Sequence, residues 1–234
     1  MKKILSLTAL VILLSAAAMQ AQITAGASLT LGLPQGEFKD NLDRYGYGLT
    51  GEIFYTPGPI KVFGIGIDLT YMNYGSETRR APFSNTIPDL TVDVDRSYNM
   101  ISFHPVIRIY APLPMLRPYL DLVAGGNYIF TTTTIRSRSS LFNKGEEVAT
   151  DENFSDFAWN YGFGGGVLID VMNEPGLKLS IDLRARYLYG TEAEYLKEGS
   201  VIVNAQNGTV TYNVSKSTTD MLFIQAGVAV ALGL

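Results

Sequence analysis

Charged side chains of both signs recur at every second position near the C-terminal end of the chain, and this spacing could support chemistry. Asp182, Arg184 and Arg186 alternate with leucine and alanine. Residues two apart in a β-strand project from the same face, so these three side chains would lie together. Ions brought together on one enclosed face can form ion pairs, a proton path or an ion path.

Other stretches of the chain carry ionisable residues in the same alternating register, and we predict that they converge in one enclosed polar network. An ion-paired, hydrogen-bonded plug is the favoured interpretation, because buried charges must be paired. A narrow gated pore, with arginine and glutamate as its switch, is the alternative. Asp170 and Lys178 share the inward register. The predicted network comprises Glu52, Asp68, His104, Arg108, Asp121, Asp182, Arg184 and Arg186.

Ser102 and His104 form the candidate nucleophile and general base. They lie two residues apart on one face of a predicted strand, and His104 is the single histidine of the sequence. Nucleophilic catalysis by such a pair also needs an orienting carboxylate, which the local sequence does not supply. We therefore predict a hydrogen-bonded interior histidine and no catalytic residue.

Metal and cofactor sites find little support in the composition. The sequence has no cysteine and one histidine, which leaves carboxylates as the available ligands. The glycine-rich run 162–166 starts no predicted helix, so it is not interpreted as a phosphate loop. We predict no metal and no cofactor. Three acidic clusters in the predicted loops could bind divalent cations, although charged loops in contact with water are the simpler explanation. The clusters are Asp93 with Asp95, then Glu146, Glu147, Asp151 and Glu152, and finally Glu192 with Glu194.

Residues 1–21 have the pattern of a cleaved secretory signal peptide. Lys2 and Lys3 precede an apolar run of about 15 residues, shorter than the roughly 20 that a spanning helix needs. Small residues follow, as at a cleavage site. We expect cleavage after Ala21, with Ala18 as the alternative, and export from the cytoplasm.

The remaining residues, 22–234, are expected to form a single domain. Hydrophobic residues make up 47% of the sequence and charged residues 17%, yet no apolar run of 18 residues follows the signal peptide. This distribution excludes a helical membrane protein and is typical of alternating barrel strands. The excess of 22 acidic over 18 basic residues argues against nucleic-acid binding.

Alternation predicts eight antiparallel strands in an all-β, up-and-down transmembrane barrel, closed by the last strand pairing with the first. Closure removes the unpaired sheet edges that lipid cannot satisfy. Pro105 should sit at a bulge or weak ladder position, since it lacks an N–H donor. Asn207-Gly208 predicts a hairpin within the last long connection. The predicted strands are 22–33, 45–56, 62–74, 95–110, 117–132, 156–171, 177–189 and 220–234. Short periplasmic turns are predicted at 57–61, 111–116 and 172–176, and long extracellular loops at 34–44, 75–94, 133–155 and 190–217.

Outward-facing aromatic residues concentrate next to the long connections. Amphipathic rings prefer the level of the lipid headgroups, so this concentration predicts an aromatic girdle at a membrane interface. Aromatic residues on a soluble barrel would scatter instead. The predicted girdle comprises Tyr45, Tyr47, Tyr71, Tyr128, Phe130, Phe157, Trp159, Tyr187 and Tyr189.

These features together resemble the bacterial outer-membrane protein β-barrel domain family, which includes small OmpA- and OmpX-like barrels. The resemblance rests on the signal peptide, the eight alternating strands, the early PQGEF segment and the C-terminal strand. It implies location in the cell outer membrane of a Gram-negative-type bacterium. Leu234 stands where such strands often end in phenylalanine. No peptidoglycan-binding domain follows in the sequence, so a wall-anchoring role is not implied.

Four functions remain open at this point. The first is a plugged barrel with a structural or surface-interaction role, since loops on a rigid scaffold often carry function. Porin-like passage of small or hydrophobic solutes is the first alternative. A lipid A-modifying enzyme is the second, but eight-stranded lipid A deacylases place their catalytic groups towards lipid, whereas Ser102 and His104 are predicted to face the interior. A soluble ligand-binding barrel ranks last. Expected partners are outer-membrane lipid, lipopolysaccharide, the barrel-assembly machinery during insertion, and an extracellular partner at 75–94, 133–155 or 190–217; we expect a monomer.

Overall fold

The computed structural model describes residues 21–58, 61–84, 87–111, 113–137, 147–203 and 209–233. The predicted signal peptide, apart from Ala21, lies outside these residues. The elements are β1 (Gln22–Pro34), α1 (Gly36–Asn41), β2 (Gly46–Thr56), β3 (Phe63–Ser84), β4 (Ile87–Tyr110), β5 (Leu116–Ser137), β6 (Glu147–Glu174), β7 (Leu177–Gly190), β8 (Glu192–Tyr195), β9 (Val201–Val203), β10 (Val210–Tyr212), β11 (Ser215–Thr218) and β12 (Met221–Gly233).

Eight of these strands form a closed antiparallel ring within the described part of the chain. Its order is β1-β12-β7-β6-β5-β4-β3-β2, with β2 returning to β1. The closing ladder between β1 and β12 is continuous from Gln22 opposite Gly233 to Pro34 opposite Met221. The predicted eight-stranded up-and-down barrel, closed by its last strand, is confirmed.

The ring has apolar side chains outside and polar side chains inside. Leu120 is 67% exposed and Leu183 44%, whereas their sequence neighbours Asp121 and Arg184 are 1% and 4% exposed. The strand period of two produces this separation directly from the alternating sequence. Polarity is thus inverted relative to a water-soluble barrel, and the outer face requires an apolar environment.

Residues 75–94 were predicted to be a long loop, and the structure corrects this over the described residues 75–84 and 87–94. β3 and β4 continue as a paired hairpin well beyond the ring. Arg96 donates to Glu77 (Nη1 to Oε1, 2.8 Å), and Thr78 donates to Asp95 (Oγ1 to Oδ1, 2.7 Å). Cross-strand pairs of this kind stabilise a sheet, so charged residues that suggested a solvated loop instead hold two strands together.

Residues 133–155 were also predicted to be a loop, and the structure corrects this too. β5 extends to Ser137 and β6 begins at Glu147, so the outer ends of both strands pair within this range. Thr134 and Thr150 meet through their hydroxyls at 3.1 Å. Threonine favours extended backbone, and the run of threonines in this part of the sequence continues the strand rather than ending it.

The other two long connections carry small elements of their own. Residues 34–44 contain the six-residue helix α1, which was not predicted. Residues 190–217 contain two short ladders, β8 with β11 and β9 with β10. The predicted hairpin is therefore present, although its Asn207-Gly208 turn lies outside the described residues. None of the helices described is long and apolar enough to cross a membrane.

The connection between β6 and β7, predicted as the turn 172–176, is shorter in the structure because β6 continues to Glu174. β6 and β7 are joined by Pro175 and Gly176, with Glu174 paired to Leu177 across the turn. Gly176 has φ of +80°, a conformation that glycine adopts without steric cost.

The ladder between β4 and β5 is interrupted beside Pro105, between the Phe103–Gly126 and Val106–Val123 pairs. Pro105 thus occupies the weak ladder position expected of it.

Candidate functional site

Arg108 lies at the centre of the barrel interior and is completely buried. Its guanidinium makes a two-pronged contact with Asp121, from Nε to Oδ1 at 2.7 Å and from Nη2 to Oδ2 at 3.0 Å. Nη2 also contacts Glu52 Oε2 at 3.5 Å. The rings of Phe54 and Tyr119 have their centroids 4.0 and 3.9 Å from the guanidinium carbon. Arg108 is therefore held by ion pairs and by cation–π contacts with two rings.

Arg184, on β7, links three neighbouring strands across the interior. Its Nη1 forms an ion pair with Glu52, its Nε donates to Gln225 Oε1 at 2.6 Å, and its Nη2 donates to Ser28 Oγ at 3.1 Å. Asp182 lies 3.5 Å from Nη1 and accepts a hydrogen bond from the Tyr119 hydroxyl at 2.5 Å. Each donor group of this arginine thus faces an acceptor.

Arg186 joins Asp121 to Asp68, the remaining carboxylate of the network. It donates to Asp121 Oδ2 through Nε at 2.9 Å and through Nη2 at 2.6 Å, and its Nη1 pairs with Asp68. His104 Nδ1 lies 2.9 Å from Asp68 Oδ1. The eight residues predicted to converge therefore form one connected set, each at most 5% exposed.

Asp170 and Lys178 form a separate cluster near the short-turn end of the barrel. Lys178 Nζ lies 3.0 Å from Asp170 Oδ2, and Arg117 Nη2 lies 2.9 Å from Asp170 Oδ1. Ser180 Oγ also donates to Asp170 at 2.7 Å. Sequence reasoning did not assign Arg117 to the interior, because it stands at the strand end where the alternation begins.

Glycines on β6 make room for the two long arginine side chains. A Cβ placed on Gly164 would lie 2.5 Å from Arg186 Cγ and 2.3 Å from the Ala185 carbonyl oxygen. A Cβ on Gly166 would lie 2.5 Å from the Tyr119 hydroxyl and 2.6 Å from Arg184 Cβ. The arginines thus pack directly against the backbone of the neighbouring strand.

Above the ionic network, on the side of the long connections, a layer of neutral polar groups crosses the interior. Thr50 Oγ1 lies 2.6 Å from Thr30 Oγ1 and 2.7 Å from Thr70 Oγ1. The Gln225 amide donates to Thr30 at 3.0 Å and to Thr50 at 2.7 Å. These groups bond to one another, and Gln225 Oε1 links the layer to the ionic network by accepting a hydrogen bond from Arg184.

An apolar cap closes the end of the barrel that faces the long connections, and sequence reasoning missed it. Met72, Met100 and Met221 are fully buried inside the ring, where an apolar cluster was not predicted. They share the inward register of the polar network, so alternation alone could have placed them there. Phe38 of α1 packs edge-on against Tyr195 of β8, with ring centroids 5.0 Å apart. The cap cluster also includes Leu42, Tyr74, Tyr98, Ile129, Leu188 and Leu196.

The residues of the predicted aromatic girdle point outward near the same end of the ring. Trp159 is 67% exposed and Tyr47 66%. Phe130 and Tyr187 are partly covered by their neighbours: Phe130 stacks on Tyr128, with centroids 5.5 Å apart, and Tyr187 lies against Tyr189 at 4.8 Å. Tyr45, Tyr71 and Phe157 are also exposed.

Glu77 lies on the β3–β4 hairpin, beyond the girdle and therefore outside the spanning part of the barrel. Partial burial raises the pKa of Glu77, but hydrogen bonds from the Gly199 backbone N–H (3.0 Å) and from Arg96 (2.8 Å) outweigh that effect. The net result is a pKa below the usual range. Glu77 thereby ties the connection between β8 and β9 to the hairpin.

The hydrogen bond from the Gly199 N–H to the Glu77 carboxylate should weaken in acid. A carboxylate whose pKa is depressed by folding contributes stability above its unfolded pKa and loses it as the pH falls through the folded value. We expect the amide resonance of Gly199 to titrate with a midpoint below the ordinary glutamate value of 4.5. Glu77→Gln should abolish that titration, and a midpoint at or above 4.5 in the unmodified chain would contradict the assignment.

The chemistry open to the interior is narrow. His104 is oriented by Asp68, as a general base would be, but its Nε2 and the Ser102 hydroxyl have no hydrogen-bond partner and do not bond to each other. Both residues are at most 3% exposed. Within the described residues, no group of three or more His, Cys, Asp or Glu side chains is placed to hold a metal ion. The contacts described among the interior side chains are ion pairs and hydrogen bonds.

An inverted, closed eight-stranded ring with an ionic interior is the architecture of a transmembrane β-barrel. The model of the family described as outer membrane protein beta-barrel domain matches residues 6–215, and the chain belongs to that family. Its members are outer-membrane proteins, which places this chain in a bacterial outer membrane.

Several solved barrels are similar to the chain in fold. A major outer membrane protein from Thermus thermophilus has a TM-score of 0.45 at 12% identity, over 91% of this chain and 99% of that one. Neisserial surface protein A, from Neisseria, has a TM-score of 0.42 at 14% identity, over 92% and 97%. Ail, the attachment invasion locus protein of Yersinia pestis, has a TM-score of 0.33 at 14% identity, over 91% and 98%. A comparison with curated proteins found no match.

Proposed function

We propose that this protein is a closed outer-membrane barrel whose interior is an ion-paired plug, with a structural or surface-interaction role and no catalytic activity. The observation that carries the proposal is the connected set of three arginines and four carboxylates across the interior, with every member at most 5% exposed. An eight-stranded ring is just wide enough for side chains to fill it, and these side chains do so.

The distribution of polarity along the interior supports a plug over a pore. A water-filled path needs solvated polar walls from end to end, but the apolar cap around Met72, Met100 and Met221 lies across the outer end. At the opposite end, Tyr110, Tyr119, Leu168 and Ala229 form a second buried apolar cluster. The ionic network is thus enclosed between two apolar layers, and each of its four carboxylates contacts an arginine.

The surface available for interaction is then the part of the chain beyond the girdle. It consists of the extended β3–β4 and β5–β6 hairpins together with α1 and strands β8 to β11. Ion pairs such as Arg44–Glu198 (2.6 Å) and Lys216–Glu192 (3.1 Å) lie on this surface. Fixed strands presenting exposed polar side chains suit contact with lipopolysaccharide or with an extracellular partner.

We also propose how the chain reaches the outer membrane. Residues 1–21 would serve as the cleaved leader, and the barrel-assembly machinery would insert the remaining chain as a monomer. The surrounding lipid would contact the outward apolar band, with the girdle at the level of the headgroups.

Conductance across a planar bilayer tests the proposal. The purified, folded barrel should show no steady open-channel current, because neither ions nor water have a continuous polar path. A double variant, Met72→Ser with Met100→Ser, removes apolar bulk from the cap but leaves the ionic network intact, so it should also stay closed. Steady current through the unmodified protein would contradict the plug and favour porin-like passage of small solutes.

A further inference from the structure

A group of four polar atoms in the barrel interior has no hydrogen-bond partner among the described residues. The four atoms belong to side chains on the inward faces of β4, β5 and β6: Ser102 Oγ, His104 Nε2, Asn127 Nδ2 and Asn160 Oδ1. Each of these residues is at most 3% exposed. Buried polar atoms are normally paired, so four unpaired atoms in one place indicate a bound molecule.

The register of the three strands brings these side chains together. Ser102 pairs with Asn127 in the ladder, and Asn127 Oδ1 accepts a hydrogen bond from Asn160 Nδ2 at 2.7 Å. Asn160 also pairs with Gly125. A Cβ placed on Gly125 would lie 2.9 Å from His104 Cδ2, the ring carbon bonded to Nε2. Because Gly125 has no side chain, room remains between the imidazole and Asn160.

The four atoms continue the neutral polar layer, which is directly bonded on the other side of the ring. There the Gln225 amide donates to Thr30 and Thr50, and Thr50 bonds to Thr70. Thr70 pairs with Ser102 in the ladder between β3 and β4, so the layer runs on into the unpaired group. On β4 to β6 the unpaired atoms do not bond to one another, and completing the layer there requires a bridging molecule.

The unpaired atoms specify the chemistry of that molecule. His104 Nδ1 lies 2.9 Å from Asp68 Oδ1, and a neutral ring that donates from Nδ1 to this carboxylate leaves Nε2 as an acceptor. Asn160 Oδ1 is a second acceptor, whereas Asn127 Nδ2 and the Ser102 hydroxyl can donate. Exchanging oxygen and nitrogen in both amides leaves the same count. A cation would meet the donors and an anion the acceptors, so neither ion suits the whole group.

We propose that this group binds one enclosed water molecule. The water donates to His104 Nε2 and to Asn160 Oδ1. It accepts from Asn127 Nδ2 and from the Ser102 hydroxyl. Its two hydrogens and two lone pairs match the two acceptors and two donors, and buried waters typically make about three such bonds. The inference rests on the proposed plug, because only an enclosed interior retains a single water in a fixed place.

Water–protein NMR of the folded barrel in lipid nanodiscs tests the site. The side-chain amides of Asn127 and Asn160 should show Overhauser cross-peaks to water, with the opposite signs in the laboratory and rotating frames that identify long-lived water. The Gln225 amide donates to Thr30 and Thr50 and should show none. Missing cross-peaks at both asparagines, or equal ones at Gln225, would overturn the water site and leave the plug standing. Signs typical of mobile water at all three amides would instead show a water-filled lumen and contradict both.

His104 gives a second readout, since it is the single histidine of the sequence. Its ¹⁵N resonances should show a protonated Nδ1 and an unprotonated, hydrogen-bonded Nε2. Ser102→Val fills the site with methyl groups, so it should remove the water cross-peaks and move the Nε2 resonance downfield, as expected when that nitrogen loses a hydrogen bond. Ser102→Ala removes one partner without filling the site and should keep both signals. Heat-modifiable gel mobility verifies that each variant is folded. A protonated Nε2 in the unmodified chain, or unchanged cross-peaks in Ser102→Val, would overturn the proposal.

Discussion

Replacing Arg108 with methionine should lower the free energy of unfolding of the barrel by about 3–5 kcal/mol, the usual cost of breaking a buried ion pair by removing one partner. Methionine keeps much of the volume between Phe54 and Tyr119 but removes both prongs of the contact with Asp121. Asp121 and Glu52 would then remain buried with fewer cationic partners, and the loss comes mainly from those uncompensated carboxylates.

Equilibrium unfolding in urea, with the barrel in lipid vesicles and Trp159 fluorescence as the signal, measures this loss. Lys178→Met is the matched control, because Asp170 keeps Arg117 and Ser180 as partners; we expect a change of about 1 kcal/mol or less there. Adding Asp121→Asn to Arg108→Met should restore part of the stability, since it reduces the excess of buried carboxylates that the loss of Arg108 leaves, with Arg186 as the remaining cation beside Asp121. A change within about 1 kcal/mol for Arg108→Met alone would show that the network contributes little.

Replacing Gly164 with valine should cause a loss of about 3 kcal/mol or more, at the upper end of the usual cost of overpacking. The new Cβ would lie 2.3 Å from the Ala185 carbonyl oxygen and 2.5 Å from Arg186 Cγ. The backbone of β7 cannot move aside without breaking the ladder. Arg186 would have to leave its bonds to Asp121 and Asp68.

Gly51→Val separates this effect from the general consequences of adding a side chain. Gly51 points outward on β2, and no heavy atom lies within 4 Å of a Cβ placed there. A β-branched residue suits an exposed strand position, so this variant should fold at least as well as the unmodified protein. The fraction that refolds, read from heat-modifiable gel mobility, should be near complete for Gly51→Val and strongly reduced for Gly164→Val. Equal refolding of the two would contradict the packing described for β6 and β7.

The ring itself could be predicted from the sequence because one physical rule controls it. Alternation with a period of two assigns each strand residue to a face, whatever the neighbouring strands are. Leu183 and Arg184 are therefore distinguishable in the sequence alone, and so are the members of the ionic network. Which carboxylate meets which arginine depends on register and shear across the ring, so the pairing of Arg186 with both Asp68 and Asp121 was not predictable.

The two ends of the barrel were harder to predict for a different reason. An apolar residue at an inward position, such as Met72, has no signature that separates a cap from an ordinary interior side chain. Threonines and charged residues, such as Thr134 and Arg136, occur both in solvated loops and in strands that leave the membrane, so composition favoured the wrong alternative. α1 is six residues long, too short for a periodic pattern to indicate it.

If the interior is plugged, bulk water and polar reagents should not reach its side chains. The reactivity of a single cysteine placed in the interior measures this access. The sequence has no cysteine, and Ser102 is 1% exposed with a hydroxyl that has no hydrogen-bond partner, so Ser102→Cys is a mild change. Ser76→Cys, on the exposed β3–β4 hairpin, is the accessible reference. With a charged, membrane-impermeant thiol reagent applied to the folded barrel in vesicles, we predict rapid modification of Ser76→Cys and none of Ser102→Cys until the barrel is unfolded. Modification of both at similar rates would show a water-filled lumen and contradict the plug.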